Sequence, residues 1–385
     1  MSRVLLFAFF LLQFAFAAGC GPFKLFRRPT PPPVTPPAAT VPDAPQVVQA
    51  GYAEPAPARV PTGVLALSGG GSYGAFTAGV LNGWTKANTR PEFDVVTGIS
   101  TGALIAPMAF LGPRFDPQLK QFYTEIERRD VLGRRSLVSV PFRDAVFTNA
   151  PLRRLVESAL TDDVVVELAA EHAKGRRLLL GTTRLDTRST VVWDIGAIAT
   201  RGGAESRKLI TDVMVASAAI PGAFPPQPIT VEEDGKKRTE LHVDGGVTAP
   251  VFVPAGVLER GGVGCDLYVI VAGKPFPEAE KVRPRVLKVL SASGGALLRA
   301  HTRREVSNLY HLATLSGVRF HVINVPQDLA VTDNGFDFDT KDMNTLYVTG
   351  VKLGLDGPAW KDRPADGPGE AAGDIRTGAK VEKRP

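Results

Sequence analysis

Ser100 stands in Gly98-Ile99-Ser100-Thr101-Gly102, a G-x-S-x-G pentapeptide between the apolar run FDVV and the helix-forming stretch ALIAPMAF. A strand before and a helix after are what a nucleophile elbow requires. A serine on so sharp a turn has strained backbone angles and must clear its neighbours, and glycines two places before and two after leave that room. Its hydroxyl then projects at a helix N-terminus, whose partial positive charge favours a developing alkoxide or oxyanion. An ordinary glycine-rich turn is the competing reading of these five residues taken alone.

A reactive serine needs a proton acceptor. Of the five histidines, His172 lies in a charged helical stretch, His301 and His311 in a long helical region, and His321 near the start of a strand; only His242 sits beside a candidate acid, in LHVDGG. Asp244 is the better candidate, because it ends a strand and Gly245-Gly246 let the backbone bend while the carboxylate points out. An ordinary aspartate, with a pKa of roughly 3.9, is a poor base at neutral pH, so this reading requires partial desolvation or close coupling to the serine. Upstream, Gly69-Gly70-Gly71-Ser72-Tyr73-Gly74 bares a run of backbone directly after an apolar stretch. It satisfies G-x-G-x-x-G, a phosphate-cradling pattern, but no acid stands where a dinucleotide site needs one. No metal-ligand cluster is apparent, so neither a catalytic metal nor a cofactor is expected. Asp337 and Asp339 in FDFD read as a solvated loop pair, with a weak cation site as the alternative.

The elements that must position these groups alternate. Residues 64–68 read as a buried strand, 73–86 as a helix, 93–97 as a second strand and 100–110 as another helix. Helical stretches over 117–129 and 152–159 precede strands at 177–183 and 190–195 and a helix at 205–216. ITVEEDGKKRTELHVDGG reads as a hairpin turning at Asp234-Gly235, DLYVIVAG as a buried strand, 282–316 as a long helical region interrupted by Gly294-Gly295, and 320–325 as the last strand. The alternation argues for an α/β sandwich with a mainly parallel central sheet flanked by helices.

SGGGSYGAFTAGVL, GISTG and DGG, in that order and at these separations, resemble the motifs of the patatin-like phospholipases, and ASAAIPGAFPP at 216–226 is similar to a small-residue and proline segment that family carries before its aspartate. The resemblance covers about 64–354. It implies a patatin-like three-layer sandwich and a Ser-Asp dyad in which Ser100 is the nucleophile and Asp244 takes its proton and later returns it to the leaving group. It also implies that the glycine loop Gly69 to Gly74 stabilises the tetrahedral oxyanion. That assignment has a physical basis, since backbone N–H groups approach an oxyanion closely only where no Cβ intervenes. One departure stands out: the family commonly has Arg or Lys two places after the third glycine, where this chain has Tyr73, which can hydrogen-bond but supplies no charge. The implied activity is an acyl-ester hydrolase acting on membrane phospholipid. An esterase or thioesterase for soluble acyl substrates is the alternative, and a non-catalytic lipid-binding lipoprotein a third.

The ends of the chain read differently from its middle. Arg3 precedes the apolar run 4–12, the layout of a secretory signal, and Ala17-Ala18-Gly19-Cys20 resembles a bacterial lipobox with Ala17 in place of the usual Leu. Lipidation of Cys20 is the preferred reading, with ordinary cleavage after Ala15-Phe16-Ala17 as the alternative. The expected organisation is a signal at 1–20, a Pro-rich extended tether at 21–61, an acyl hydrolase domain at 62–360 and a loose tail at 361–385. Such a chain is exported and membrane-anchored, at the periplasmic side of the outer membrane if the host is diderm. The 385 residues are 44% hydrophobic and 22% charged, enough for a sizeable core, with a net charge of +6. The densest basic run, RRDVLGRR at 128–135, reads as a solvated face, with a patch for anionic lipid or nucleic acid as the alternative; it has no interleaved aromatics of the kind that stack bases, so no nucleic-acid partner is expected. The oligomeric state is left open.

Overall fold

β1 (Gly63–Leu67) is buried at every position, and its alternation divides two cores, with Leu65 and Leu67 on one face and Val64 and Ala66 on the other. The computed structural model describes residues 59–134, 145–233, 235–276, 278, 282, 284, 286–332, 335 and 337–365. The signal-like segment, Cys20, the tether up to residue 58, Arg135 of the basic run, Asp234 of the hairpin turn and the tail beyond 365 lie outside the described residues.

After β1 come α1 (Gly74–Lys86), β2 (Val95–Gly98), α2 (Thr101–Leu111), α3 (Asp116–Thr124), α4 (Arg128–Val131), a short ribbon of β3 (Gly133–Arg134) and β4 (Phe147–Thr148), α5 (Ala150–Ala159) and α6 (Asp162–Ala173). The chain continues through β5 (Arg177–Arg184), β6 (Ser189–Asp194), α7 (Ile195–Ala199), α8 (Gly203–Ser217), the hairpin β7 (Gln227–Glu233) and β8 (Lys236–Asp244), α9 (Ala255–Gly261), β9 (Asp266–Val271), α10 (Val286–Ser316), β10 (Arg319–Asn324) and α11 (Thr340–Leu355). The main sheet runs β10-β9-β1-β2-β5-β8-β7, with β6 also on β5. Pairing from β10 to β5 is parallel, and β6, β8 and β7 pair antiparallel. α9 and α10 pack on one face with Val64, Ala66 and Val95, and α1, α2, α8 and α11 pack on the other. This is the expected three-layer α/β sandwich with a mainly parallel sheet.

Three departures from the sequence reading bear on how the layers pack. α10 is continuous through Gly294 and Gly295; a glycine costs a helix interior only about 1 kcal/mol, and Val306, Leu309 and Ala313 anchor the helix in the core. α11, which the periodicity does not reveal, is an integral element. It crosses α1 so closely that a Cβ on Gly79 would lie 2.2 Å from the Tyr347 carbonyl oxygen, and one on Gly350 2.3 Å from that of Phe76. Glycines therefore form part of its buried stripe, and they do not register as hydrophobic. Third, ordered structure continues through the start of the expected loose tail: Trp360 packs on Trp84 at 4.8 Å between ring centroids, and Lys361 exchanges two backbone hydrogen bonds with Val322.

Candidate active site

β5 is the element that brings Ser100 and Asp244 together. β6 covers one of its edges from Leu179 to Arg184, so β2 and β8 must share the other. β2 runs along it in parallel until Gly98 stands opposite Leu180, and β8 arrives antiparallel and stops with Asp244 opposite Thr182. The C-terminal ends of the two strands thus meet head to head across Gly181. No side chain fits there: a Cβ on Gly181 would lie 2.4 Å from the Ile99 side chain, and one on Gly245 would lie 2.5 Å from the Gly181 carbonyl oxygen.

At this junction Ser100 has φ 53° and ψ −123°, a conformation that costs a non-glycine residue on the order of 1–3 kcal/mol. The G-x-S-x-G glycines make it possible. A Cβ on Gly98 would press on Gly102 at 2.6 Å, and one on Gly102 would meet the Leu67 carbonyl oxygen at 2.4 Å. A contact that sequence reasoning missed holds the strained amide in place. The Ser100 N–H donates to Ser217 Oγ at 3.0 Å, and the Ser217 hydroxyl donates to the Gly181 carbonyl oxygen at 2.7 Å. Ser217 lies in the ASAAIPG segment, and Ala219 of that segment accepts the Asp244 N–H at 2.9 Å. One short segment therefore clamps both residues.

The Asp244 carboxylate lies beside the Ser100 side chain, and it accepts the Gly246 N–H at 2.7 Å. Burial pushes the Asp244 pKa up to about 6, and the neighbouring Ser100 hydroxyl and Gly246 N–H only partly offset the shift. Its backbone carbonyl accepts from the Thr183 hydroxyl at 3.0 Å. His242 is fully buried, and both of its ring nitrogens are engaged, Nδ1 with the Thr182 hydroxyl at 2.9 Å and Nε2 with Glu240 at 3.1 Å. Neither is left for Ser100.

The glycine loop lies against Ser100: a Cβ on Gly69 would come within 3.1 Å of Ser100 Cβ. Its amides are not equivalent. Gly69 donates to the Pro250 carbonyl at 3.0 Å, Ser72 to that of Gly335 at 2.8 Å and Tyr73 to that of Gly70 at 3.2 Å. The Gly74 amide returns to Gly71 and Ser72. Among the described residues the Gly70 and Gly71 amides have no protein acceptor, which narrows the expected donors to these two. Tyr73, in the place of the family's basic residue, is buried, and its hydroxyl donates to the Thr332 carbonyl at 2.9 Å, tying the loop to the segment before α11. Asp339 of FDFD caps α11 by accepting the Lys341 and Asp342 amides, each at 3.0 Å.

Ser100 and Gly71 open on a cavity of about 90 Å³ whose walls are almost wholly apolar, formed by α2, α3, α5, α8 and α11. Met108, Met214 and Met343, every methionine after Met1, line it. At its floor the Tyr123 hydroxyl bonds Thr101 Oγ1 at 2.6 Å, and burial keeps that phenol neutral.

The sequence profile described as "Patatin-like phospholipase" matches residues 65–258, just over half of the 385. The chain belongs to the patatin-like phospholipase family. This patatin-like chain is 46% identical over 65 residues to the "cUMP-AMP-activated phospholipase" of Escherichia coli, a match covering 16% of this chain and 20% of that protein. The match thus spans a fifth of that curated relative's length. Among solved structures, VipD from Legionella pneumophila aligns with a TM-score of 0.39 and 11% identity over 79% of this chain and 68% of its own. The type III effector protein ExoU aligns with a TM-score of 0.23 and 13% identity over 77% of this chain and 53% of its own.

Proposed function

We propose that the protein is a serine acyl-ester hydrolase of membrane lipid, with Ser100 as nucleophile and Asp244 as its proton acceptor. One observation carries the reading: a buried carboxyl, raised to about 6, beside a strained serine at the mouth of an apolar cavity. A carboxyl of that pKa is ionised about ten to one at pH 7 and is a stronger base than an ordinary aspartate. Ser100 Oγ bonds to the ester carbonyl carbon as its proton passes to Asp244, and the Gly70 and Gly71 amides receive the oxyanion. Collapse breaks the bond to the alcohol, which leaves with the proton from Asp244, and the acyl group stays on Ser100. Water then repeats the sequence with Asp244 as base and releases the fatty acid. Lipidation of Cys20, followed by the Pro-rich stretch of sequence, would keep the domain near its substrate.

Family membership and the apolar cavity support lipid as the substrate class. The cavity's size favours a second reading, hydrolysis of short soluble esters or thioesters. At about 90 Å³ it is smaller than the roughly 150 Å³ that admits a benzene ring. A long acyl chain enters only if side chains move, and the three methionines are the residue type best suited to that. Fatty-acid release from phospholipid vesicles, compared with hydrolysis of short-chain soluble esters, separates the two readings, with folded Ser100→Ala as the control. Vesicle hydrolysis lost in the variant supports the proposal. Hydrolysis of soluble esters alone favours the second reading, and equal release by both proteins refutes Ser100 as nucleophile.

A further inference from the structure

α10 has 31 residues, about 46 Å at 1.5 Å per residue, whereas β10 beside it has six residues, about 20 Å. The helix is therefore far longer than the sheet it covers. Its C-terminal half is packed, with Val306, Leu309 and Ala313 buried against the β9 and β10 face. Because β9 and β10 are parallel, the helix that joins them runs back antiparallel, and its N-terminal half overhangs the edge where β1 and β2 end. That is the edge of Ser100 and Asp244. Leu298 marks the place, with its Cδ1 3.7 Å from where a Cβ on Gly246 would sit.

On this overhang Leu297 is 73% exposed, and Val289, Leu298 and the nearby Val247 are exposed as well. The sequence from 281 to 304 carries seven Lys or Arg and no Asp or Glu. A helix half whose described side chains are mostly exposed, in a stretch of sequence that is apolar, basic and free of acid, is complementary to anionic lipid. Its leucines can enter the acyl boundary, and each cation near the surface gains from the negative potential.

We infer that the N-terminal half of α10, with Leu297 exposed on it and Arg304, seven residues on, exposed on the same side of the helix, is the face by which the domain seats on an anionic bilayer. The inference deepens the lipid-hydrolase reading by stating how the Ser100 edge is presented to lipid. Its test requires no turnover.

The experiment uses the full chain with Cys20→Ser and Ser100→Ala, so that neither an anchor nor hydrolysis intervenes. A polarity-sensitive fluorophore is attached at Leu297→Cys or at Leu315→Cys; Cys265 is buried and stays unlabelled. Leu315 is 86% exposed on the same helix, about 27 Å further along it. With vesicles of phosphatidylcholine and phosphatidylglycerol, emission from the 297 label is expected to rise severalfold and shift to the blue, while the 315 label stays in water. With phosphatidylcholine alone both labels stay in water. No response at 297, an equal response at 315, or an equal response to both vesicle types overturns the inference. So does a response at 297 that needs only more protein and no vesicles, because a second copy of the chain would then cover the face. These outcomes are independent of whether the wild type releases fatty acid.

Discussion

Asp244→Asn should inactivate the protein and stabilise it. Burial holds the Asp244 carboxyl at about 6 in the folded chain, against 3.8 for the unperturbed group. A gap of about two units corresponds to about 3 kcal/mol. The sign follows from linkage. Between these two pKa values the folded state binds the proton that the unfolded state has released, so stability falls as pH rises through this window and stays lower above it. The wild type at pH 7 therefore carries a buried, ionised carboxylate that costs about 3 kcal/mol relative to its neutral form. Asparagine has no charge to bury, and its Oδ1 can still accept from the Gly246 N–H. Denaturant unfolding at pH 7 should show the variant more stable by an amount approaching 3 kcal/mol. At pH 3.5, below both pKa values, the difference should largely vanish, while ester hydrolysis is lost throughout. A variant less stable than the wild type at pH 7, or a gain independent of pH, would refute the assignment of a desolvated, ionised base at this position.

The same carboxyl sets the acid limb of activity: kcat/KM for a soluble ester should fall as pH drops through about 6, and a limb near 4 would mean that Asp244 is hydrated in solution. Ser217→Ala removes the acceptor of the Ser100 amide and leaves a buried donor unmet, at roughly 1–3 kcal/mol; kcat should fall about tenfold or more with KM little changed, and an unchanged kcat would show that the elbow holds its shape without the clamp. Gly71→Ala places a Cβ 2.1 Å from the Gly335 carbonyl oxygen at a φ of +58°, so the loop must shift; hydrolysis should drop about 10²- to 10³-fold in a protein that still folds by circular dichroism.

Serine, aspartate and the glycine loop were legible in the sequence because each depends on local chain chemistry: an elbow needs its glycines beside it, a carboxylate at a strand end needs a flexible exit, and an oxyanion loop needs bare backbone. The strand and helix alternation around them was legible for the same reason. Their meeting was not. It depends on β5 lending one edge to two strands that arrive from opposite directions, Gly98 opposite Leu180 and Asp244 opposite Thr182, and no window of sequence contains both partners. The two residues that refine the site are hidden in the same way. Ser217 reads as one more small residue in ASAAIPG until its hydroxyl is found between the Ser100 amide and Gly181, and Gly69 reads as a donor until its amide is found on Pro250. α11 escapes detection because glycines that admit a neighbouring backbone leave no hydrophobic trace. The proposed base follows this rule. An aspartate before two glycines has an ordinary, low pKa on its own, and the Asp244 carboxyl is raised because distant segments, the elbow on one side and ASAAIPG on the other, exclude water from it.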